Sequence, residues 1–598
     1  MRVADYLASK LYNVGIEEIF IVTGGGLMFL TDGIACHPKI RPIPCLHEQA
    51  ASMAAISYSQ MKEGYGCCYV TTGCGGTNTI TGVLHAWQDH VAVIYVSGQC
   101  NRNEMMCISK SPVRQIGLQE ADIVSIVESI TKYAVTIMNP EDVVYCVEKA
   151  LYMAKNGNPG PVWLDIPMDI QEAEIDISKS QHYIPEKNYK MNCTAEEIEY
   201  VVKALESAER PMVIVGQGVR LAGACNDLID FIEKNQIPMV GTRMGWDIYP
   251  GNRELHIGLA DTRGTRAGNF ALQNADVVLC IGSRLSMMTT GYSYDLFLRA
   301  AKNFIVVDID ENEHRKGTVH IDKVINADAK CFLGSLPKLN LKDISAWREK
   351  CLYWKRKWPM ITEEHNNDKD AISKFGFIGV LNHYLAEDSV VVTDAGATTE
   401  IPMQALNYTN SKQRYLGSAS QCEMGYAIPA SIGASIAKDC NEVICIVGDG
   451  SLQMNIQELQ TIVTQNLPIK IFVWNNGGYG TIRGHQKSIF KGRFVGVDAA
   501  SGTAFPDLEK ISKAYDISYH AASNLEELED CMQQMFTNMG PAICDVKCWK
   551  EEVNPISKAQ MRLSDGTRMA MPLEDMYPFI ERDEFEAEML VKPVKWWK

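Results

Sequence analysis

Three separate stretches of this chain alternate short, continuous apolar runs with helical patterns, and that alternation leaves few folds open. A strand that is apolar at every position must be covered on both faces, and strands separated by helices pair in parallel. The runs in the first stretch are EEIFIV, GCCYVTT, VAVIYVSG and VWLDIP. Those in the second are PMVIVG, IPMVGT, ADVVLCIG and NFIVVDID, and those in the third are SVVVTD, EVICIVGDG, IKIFVWNN and AICDVKC. The fold class read from them is α/β, with three doubly wound parallel-sheet domains at 1–175, 190–335 and 370–550 and a C-terminal tail at 551–598. The polar stretch EAEIDISKSQHYIPEKNYKMNCT reads as the first linker, and the charged, Trp-bearing LKDISAWREKCLYWKRKWPMITEEHNNDKD as the second. A length of 598 residues suits three such units and a tail.

Charge and cysteine usage narrow the function classes. Lys+Arg 57 against Asp+Glu 73 leaves a net charge of −16, which argues against nucleic acid or an anionic membrane as the main partner. No long apolar run predicts a membrane span, and the start MRVADYLASKLYNVGIEEIF lacks the pattern of a signal peptide. Nineteen scattered cysteines without a C-x-x-C pair read as small core residues of a cytoplasmic protein, not as zinc ligands or a disulfide framework.

The sharpest chemical signal is VICIVGDGSLQMNIQELQTIVTQNLPIKIFVWNNGGYG in the third unit. One strand ends at Gly448-Asp449-Gly450-Ser451, a helix follows, and the next strand ends at Asn475-Asn476. Such a βαβ unit brings Asp449 and Asn476 to the same carboxyl edge of a sheet, where α/β folds bind ligands. Glycines let backbone approach an anion, and the first-turn amides of a helix point at it. Asp449, Asn476 and the carbonyl of Gly478 are hard oxygen donors suited to Mg2+. Taken singly, GDGS would be a turn and NNGG a loop; it is their pairing on adjacent strand ends that points to chemistry.

This stretch resembles the signature of thiamine-diphosphate-dependent enzymes, a GDG followed after about two dozen residues by NN, carried here by Gly448, Asp449, Gly450, Ser451, Asn475 and Asn476. The resemblance implies that Asp449, Asn476 and Gly478 hold Mg2+, which in turn holds the diphosphate, with Tyr479 alongside. It also implies a glutamate that bonds the cofactor's pyrimidine and promotes loss of the thiazolium proton. Glu48, in His47-Glu48-Gln49-Ala50-Ala51, matches the family's motif for it. Further segments are similar to the acetolactate-synthase-like branch over nearly the whole chain. Thr72-Gly73-Cys74-Gly75-Gly76-Thr77-Asn78 resembles the family's S/T-G-P-G-A-T-N loop, with cysteine in place of the usual proline. Gln119 and Gly25 match substrate-facing residues, and Val22 replaces a bulkier one. Gly396, Ala397 and Thr398, after Asp394, occupy a segment near the diphosphate in which two polar side chains are changed. Met424 matches the apolar wedge beneath the cofactor, and Cys422 replaces a glycine whose carbonyl meets the cofactor's amino group.

In the middle unit Gly216, Gly218, Thr242, Met244, Gly282, Arg284, Asp308 and Ile309 resemble flavin-contacting positions, so FAD joins thiamine diphosphate and Mg2+ as an expected cofactor. The resemblance assigns the first domain to the pyrimidine, the second to a flavin or nucleotide, and the third to the diphosphate. In this family the two thiamine half-sites come from different protomers, which implies a homodimer or homotetramer with sites at the protomer interface. The implied reaction is decarboxylation of a 2-oxo acid, pyruvate foremost, and transfer of the two-carbon unit to a carbonyl acceptor. The segment NNGGYGTIRGHQK departs from acetolactate synthase, and the tail resembles those of relatives that accompany surface-polysaccharide synthesis. A nucleotide-linked keto sugar is therefore an alternative acceptor, with Arg483, His485 and Lys487 placed to read its phosphate. Pyruvate oxidase, a simple 2-oxo-acid decarboxylase and a non-catalytic nucleotide-binding subunit are the other readings.

Overall fold

The computed structural model describes residues 1–109, 112–185, 192–367, 370–563 and 565–597. Residues 186–191 of the first linker, 368–369 of the second, and 110, 111, 564 and 598 lie outside the described residues.

The described residues build three six-stranded sheets, every neighbouring pair in them parallel, and a two-stranded antiparallel ribbon in the tail. The first holds β1 (Glu18–Ile21), β2 (Arg41–Pro44), β3 (Gly66–Val70), β4 (Val93–Gln99), β5 (Tyr133–Thr136) and β6 (Val162–Pro167), in the order β2-β1-β3-β4-β6-β5. The second holds β7 (Pro211–Val215), β8 (Met239–Gly241), β9 (His256–Leu259), β10 (Val277–Ile281), β11 (Asn303–Asp308) and β12 (Lys323–Asn326), in the order β12-β11-β10-β7-β8-β9. The third holds β13 (Val390–Val392), β14 (Arg414–Leu416), β15 (Val443–Gly448), β16 (Ile469–Asn475), β17 (Ser518–Ala522) and β18 (Ala542–Lys547), in the order β14-β13-β15-β16-β18-β17. β3, β4, β6, β7 and β10 are buried at every position, as strands covered on both faces must be.

The strand orders place three crevices. In each sheet successive crossovers run first to one side and then to the other, which opens a gap at the carboxyl ends of two neighbouring strands. Those pairs are β1 and β3, β7 and β10, and β13 and β15. Every segment singled out for cofactor binding follows one of these strands or an immediate neighbour.

The first and third domains share one hydrophobic core. Helix Glu48–Lys62 packs on helix Ala427–Ala437 so closely that a Cβ on Gly433 would lie 2.0 Å from the carbonyl oxygen of Ala54. Ala51, Ala54 and Tyr58 belong to the same buried cluster as Tyr426, Ala430 and Ile432. Helix Ser345–Lys357, expected as part of a connection, packs on the central domain, where the Trp347 indole donates to the Pro211 carbonyl at 2.9 Å. The tail folds back on the same domain. Glu588 accepts from Lys350, Tyr353, Trp354 and Lys357 at 2.6–2.9 Å, and Arg266 donates to the carbonyls of Met576 and Pro578.

All nineteen cysteines are free. Eleven are buried; Cys36, Cys74 and Cys107 are exposed and five are half-buried, so fewer serve as core residues than the composition suggests. Among the described residues no helix is long and apolar enough to cross a membrane.

Candidate functional site

At the β13/β15 crevice the GDGS turn becomes the first turn of a short helix, Asp449–Leu452, directly after β15. Asp449 is buried; Oδ1 accepts the Gly450 amide at 2.8 Å and Oδ2 the Gly478 amide at 2.9 Å. Burial raises its pKa against the lowering effect of those amides. β15 and β16 are paired with Gly448 opposite Trp474, so Asn476 follows one strand end beside Asp449 on the other. Asn476 Oδ1 is buried and accepts no hydrogen bond. A buried acceptor left unmatched is costly unless a donor or a cation occupies the space in front of it. Among the described residues no group of three or more His, Cys, Asp or Glu is arranged to hold a metal ion, so the oxygen set here is one carboxylate, one amide and the carbonyl of Gly478. That set fits Mg2+ with phosphate oxygens completing its shell. Gly450 is required on steric grounds, because a Cβ there would sit 2.2 Å from Cε1 of Tyr479.

The adjoining loops brace this half-site. Ser451 donates to Asp394 across the crevice and accepts the Gly425 amide at 2.9 Å. Asp394 is fully buried; burial pushes its pKa up to about 6 although Ser451, the Ala395 amide and Thr398 all favour its charged form. Gly396, with φ +67°, lets the chain turn into helix Ala397–Ala405, whose first residues are Ala397 and Thr398. Cys422 has φ +49°, a left-handed conformation that glycine adopts freely and cysteine does not. Met424, two residues on, is half-buried and stands three residues before the helix packed on Glu48's own helix.

The other half-site lies at the β1/β3 crevice. Glu48 is the first residue of its helix, which His47 caps by accepting the Gln49 amide at 3.1 Å. Glu48 Oε2 accepts from Asn78 Nδ2 at 2.9 Å, and a methyl group on Gly75 would come within 3.6 Å of Oε1. Gly24 must be glycine, since a Cβ would meet Thr71 at 2.5 Å; Gly25 beside it faces open space. Gln119 has φ +60°; its carbonyl lies so near Gly73 that a Cβ there would be 2.1 Å away, and its amide reaches Cys74 Sγ at 3.7 Å. Glu48, the Thr72–Asn78 loop and Gln119 therefore share one mouth, with the Gly25 turn at its rim. The hydrogen bond made by the Glu48 carboxylate stays within its own domain, as do those made by Asp449.

Sequence reasoning missed a charged network that ties the three domains together. His85 is fully buried; Nδ1 lies 2.6 Å from Glu423 Oε1 and Nε2 3.3 Å from Asp89 Oδ2. Burial alone would lower its pKa, but the two carboxylates outweigh burial and push it up to about 10. Asp89 also accepts the Ala419 amide and the Ser420 hydroxyl, and Ser420 accepts from Arg284 of the central domain at 2.6 Å. Glu423 lies between Cys422 and Met424, so the network holds the very loop expected beneath the cofactor. The available signals were His85 and Asp89 four apart on one helix face, and a lone carboxylate in QCEMGYAIPASIGA. Arg243, between the flavin-type positions Thr242 and Met244, is locked to Asp261 at 2.8 and 3.1 Å and reaches Cys422 Sγ at 3.6 Å.

Arg483 is not free to read an acceptor's phosphate. It is buried and donates to the carbonyls of Asn476 and Lys550, while Lys487 pairs with Glu551. His485 is exposed.

At the β7/β10 crevice lies a cavity of about 310 Å3. Gly218, Thr242, Met244, Gly282, Arg284, Asp308 and Ile309 line it, and Gly216 underlies it, packed so tightly that a Cβ would be 2.1 Å from the Gly282 carbonyl.

Models of three thiamine pyrophosphate enzyme domains match the chain: the N-terminal TPP binding domain over residues 1–126, the central domain over 198–336, and the C-terminal TPP binding domain over 394–546. The acetolactate synthase large subunit of Lactococcus lactis subsp. lactis is 31% identical over 556 residues, 92% of this chain and 93% of that protein. The chloroplastic acetolactate synthase of Arabidopsis thaliana is 30% identical over 567 residues, 92% of this chain and 82% of that protein. The probable acetolactate synthase large subunit of Methanocaldococcus jannaschii is 30% identical over 602 residues, 98% of each.

Proposed function

The chain belongs to the thiamine pyrophosphate enzyme family, in its acetolactate-synthase-like branch, and from that premise we propose that it joins the two-carbon unit of pyruvate to a second 2-oxo acid. The observation that carries the cofactor assignment is the buried, unmatched Oδ1 of Asn476 beside Asp449 at the end of β15. Asp449, Asn476 and the Gly478 carbonyl would hold Mg2+, and Gly448, Gly450, Ser451 and Tyr479 would close around the diphosphate. Thiamine diphosphate, when bound, supplies the electron sink that lets a 2-oxo acid lose CO2 while its remaining carbons stay available for transfer. Glu48 holds and releases a proton at the pyrimidine nitrogen, Gln119 and the Gly25 backbone orient substrate, and Met424 supports the cofactor from below.

The site is completed by a second protomer in this reading. Glu48 and Asp449 stand on different domains with separate hydrogen-bond partners, and the apolar side chains of Leu46, Leu118, Met454 and Ile482 are exposed near the two mouths. A homodimer, or a homotetramer built from it, would cover them. The cavity at β7/β10 supports FAD, held by the glycines at 216, 218 and 282 and by Arg284 and Asp308. Nineteen free cysteines support a reducing, cytoplasmic setting.

Incubation of the protein with thiamine diphosphate, Mg2+ and pyruvate, with and without 2-oxobutyrate or a nucleotide-linked keto sugar, tests this. The expected products, by mass, are acetolactate and its 2-oxobutyrate homologue. Sugar adducts alone would move the assignment to the keto-sugar acceptor. Acetaldehyde alone, or reduced flavin with no carbon–carbon bond formed, would replace it by a decarboxylase or an oxidase.

A further inference from the structure

A second cavity, of about 290 Å3, opens where the three domains meet. It adjoins the first but has its own polar wall, made by the end of helix Glu48–Lys62, by Arg220 and by Arg414 of β14. Two donors on that wall are buried without a hydrogen-bond partner: Nε2 of Gln60, whose residue is 8% exposed, and Nε of Arg414. The charges around them do not fully cancel. Asp247 lies beneath the wall, 3.0 Å from Arg220 Nη1 and 3.6 Å from Arg414 Nε, and also accepts the Tyr415 amide at 3.1 Å. Glu63 is half exposed at the mouth, 3.5 Å from Arg414 and 3.8 Å from Arg220. Lys155 lines the cavity as a third cation and stacks 4.5 Å over Tyr65. Three cations thus face two carboxylates. Burial, followed by the neighbouring Arg220, pulls Arg414 down to about 10, while at Arg220 burial is outweighed by Asp247 and the other groups around it, which hold it above its ordinary value. Leu221, Met244 and Leu416 supply the apolar part of the wall.

We propose that this cavity binds a small organic anion, with a carboxylate or phosphate oxygen group received by Arg414, Arg220 and the Gln60 amide and its apolar body against Leu221, Met244 and Leu416. Guanidinium and amide donors converging on one space are the recognition set for such a group, and an unmatched buried donor gains most when the group arrives. The place also has reach. Gln60 lies in the last turn of the helix that begins at Glu48, and Arg414 opens the strand that leads through Ser418 to Cys422 and Met424. A ligand spanning Gln60 and Arg414 braces both segments at once.

The test is calorimetric titration of the full-length protein, saturated with thiamine diphosphate, Mg2+ and FAD so that the diphosphate place and the first cavity, which shares Lys155, Leu221 and Met244, are filled. Inorganic phosphate and butyrate are the probes, the first carrying only the charged group and the second adding an apolar body. Saturable binding of at least one is expected. Gln60→Met, which leaves every charge in place, is expected to weaken it severalfold, and Arg414→Met about tenfold or more, equivalent to about 1.4 kcal/mol. Arg284→Met, which alters the neighbouring cavity, is expected to leave it unchanged. Preference for butyrate identifies a carboxylic acid ligand, and preference for phosphate a phosphate ester. No saturable binding by either probe overturns the proposal. So does binding that survives both Gln60→Met and Arg414→Met, or that is lost with Arg284→Met; if Arg414→Met does not fold, Gln60→Met alone decides.

Discussion

Replacing His85 by glutamine removes a charge while keeping a hydrogen-bond donor beside Glu423 and Asp89. The His85 imidazole moves from an ordinary 6.5 to about 10 in the folded chain. At 1.36 kcal/mol for each pH unit, that difference makes the protonated ring worth about 5 kcal/mol of stability. Because the folded value is the higher one, the contribution is complete below about pH 6.5. It falls by about 1.4 kcal/mol per pH unit above that and is gone beyond about pH 10. Between pH 7 and pH 9 the parent protein should therefore lose roughly 2–3 kcal/mol through this one proton, and His85→Gln should not. At pH 7 the variant should be weaker by about 3–5 kcal/mol, since two buried carboxylates lose their cation. Urea unfolding of both proteins across that range, followed by tryptophan fluorescence, measures the difference in slope. Equal pH slopes would falsify the claim that His85 is held as an imidazolium.

Three further outcomes follow from the geometry. Glu48→Gln should lower turnover by about 10^2–10^4-fold, with thiamine diphosphate still bound; full CO2 release by that variant would remove Glu48 from the chemistry. Asn476→Ala, which deletes the unmatched acceptor, should raise the Mg2+ concentration needed for half-activation by about tenfold, and an unchanged titration would show that the oxygen set lies elsewhere. Cys422→Gly should raise stability by about 1 kcal/mol by relieving a left-handed cysteine, read as a higher melting temperature; a lower one would mean that the thiol contact with Arg243 outweighs the backbone strain.

The twelve strands read as apolar runs in the sequence are the inner four of each six-stranded sheet, and the other six strands of those sheets are all edges: β2, β5, β9, β12, β14 and β17. The reason is burial. Inner strands are apolar at successive positions, whereas β5 has no fully buried residue, β12 has one, and β2 carries two prolines that only an edge tolerates. The motifs proposed as thiamine half-sites were legible for a different reason, that strand-end glycines and oxygen side chains sit next to one another along the chain. What stayed hidden was assembled across domains. The His85–Glu423 contact joins positions 338 apart, and Arg284–Ser420 joins positions 136 apart. No local pattern reports such pairs; each half reads as an ordinary polar residue until the fold closes.

The core shared by helices Glu48–Lys62 and Ala427–Ala437 carries a consequence for the protein's birth. Ala54 is made roughly 370 residues before the segment that covers it. At a synthesis rate of about 5–20 residues per second, that face waits roughly 20 to 75 s on the ribosome. The first domain must therefore leave the exit tunnel with an alanine-rich apolar strip uncovered, and either a chaperone shields it or the nascent chain tolerates it. Ribosome-stalled chains ending just before residue 427 should bind a hydrophobic dye strongly, and chains ending past residue 480 should not.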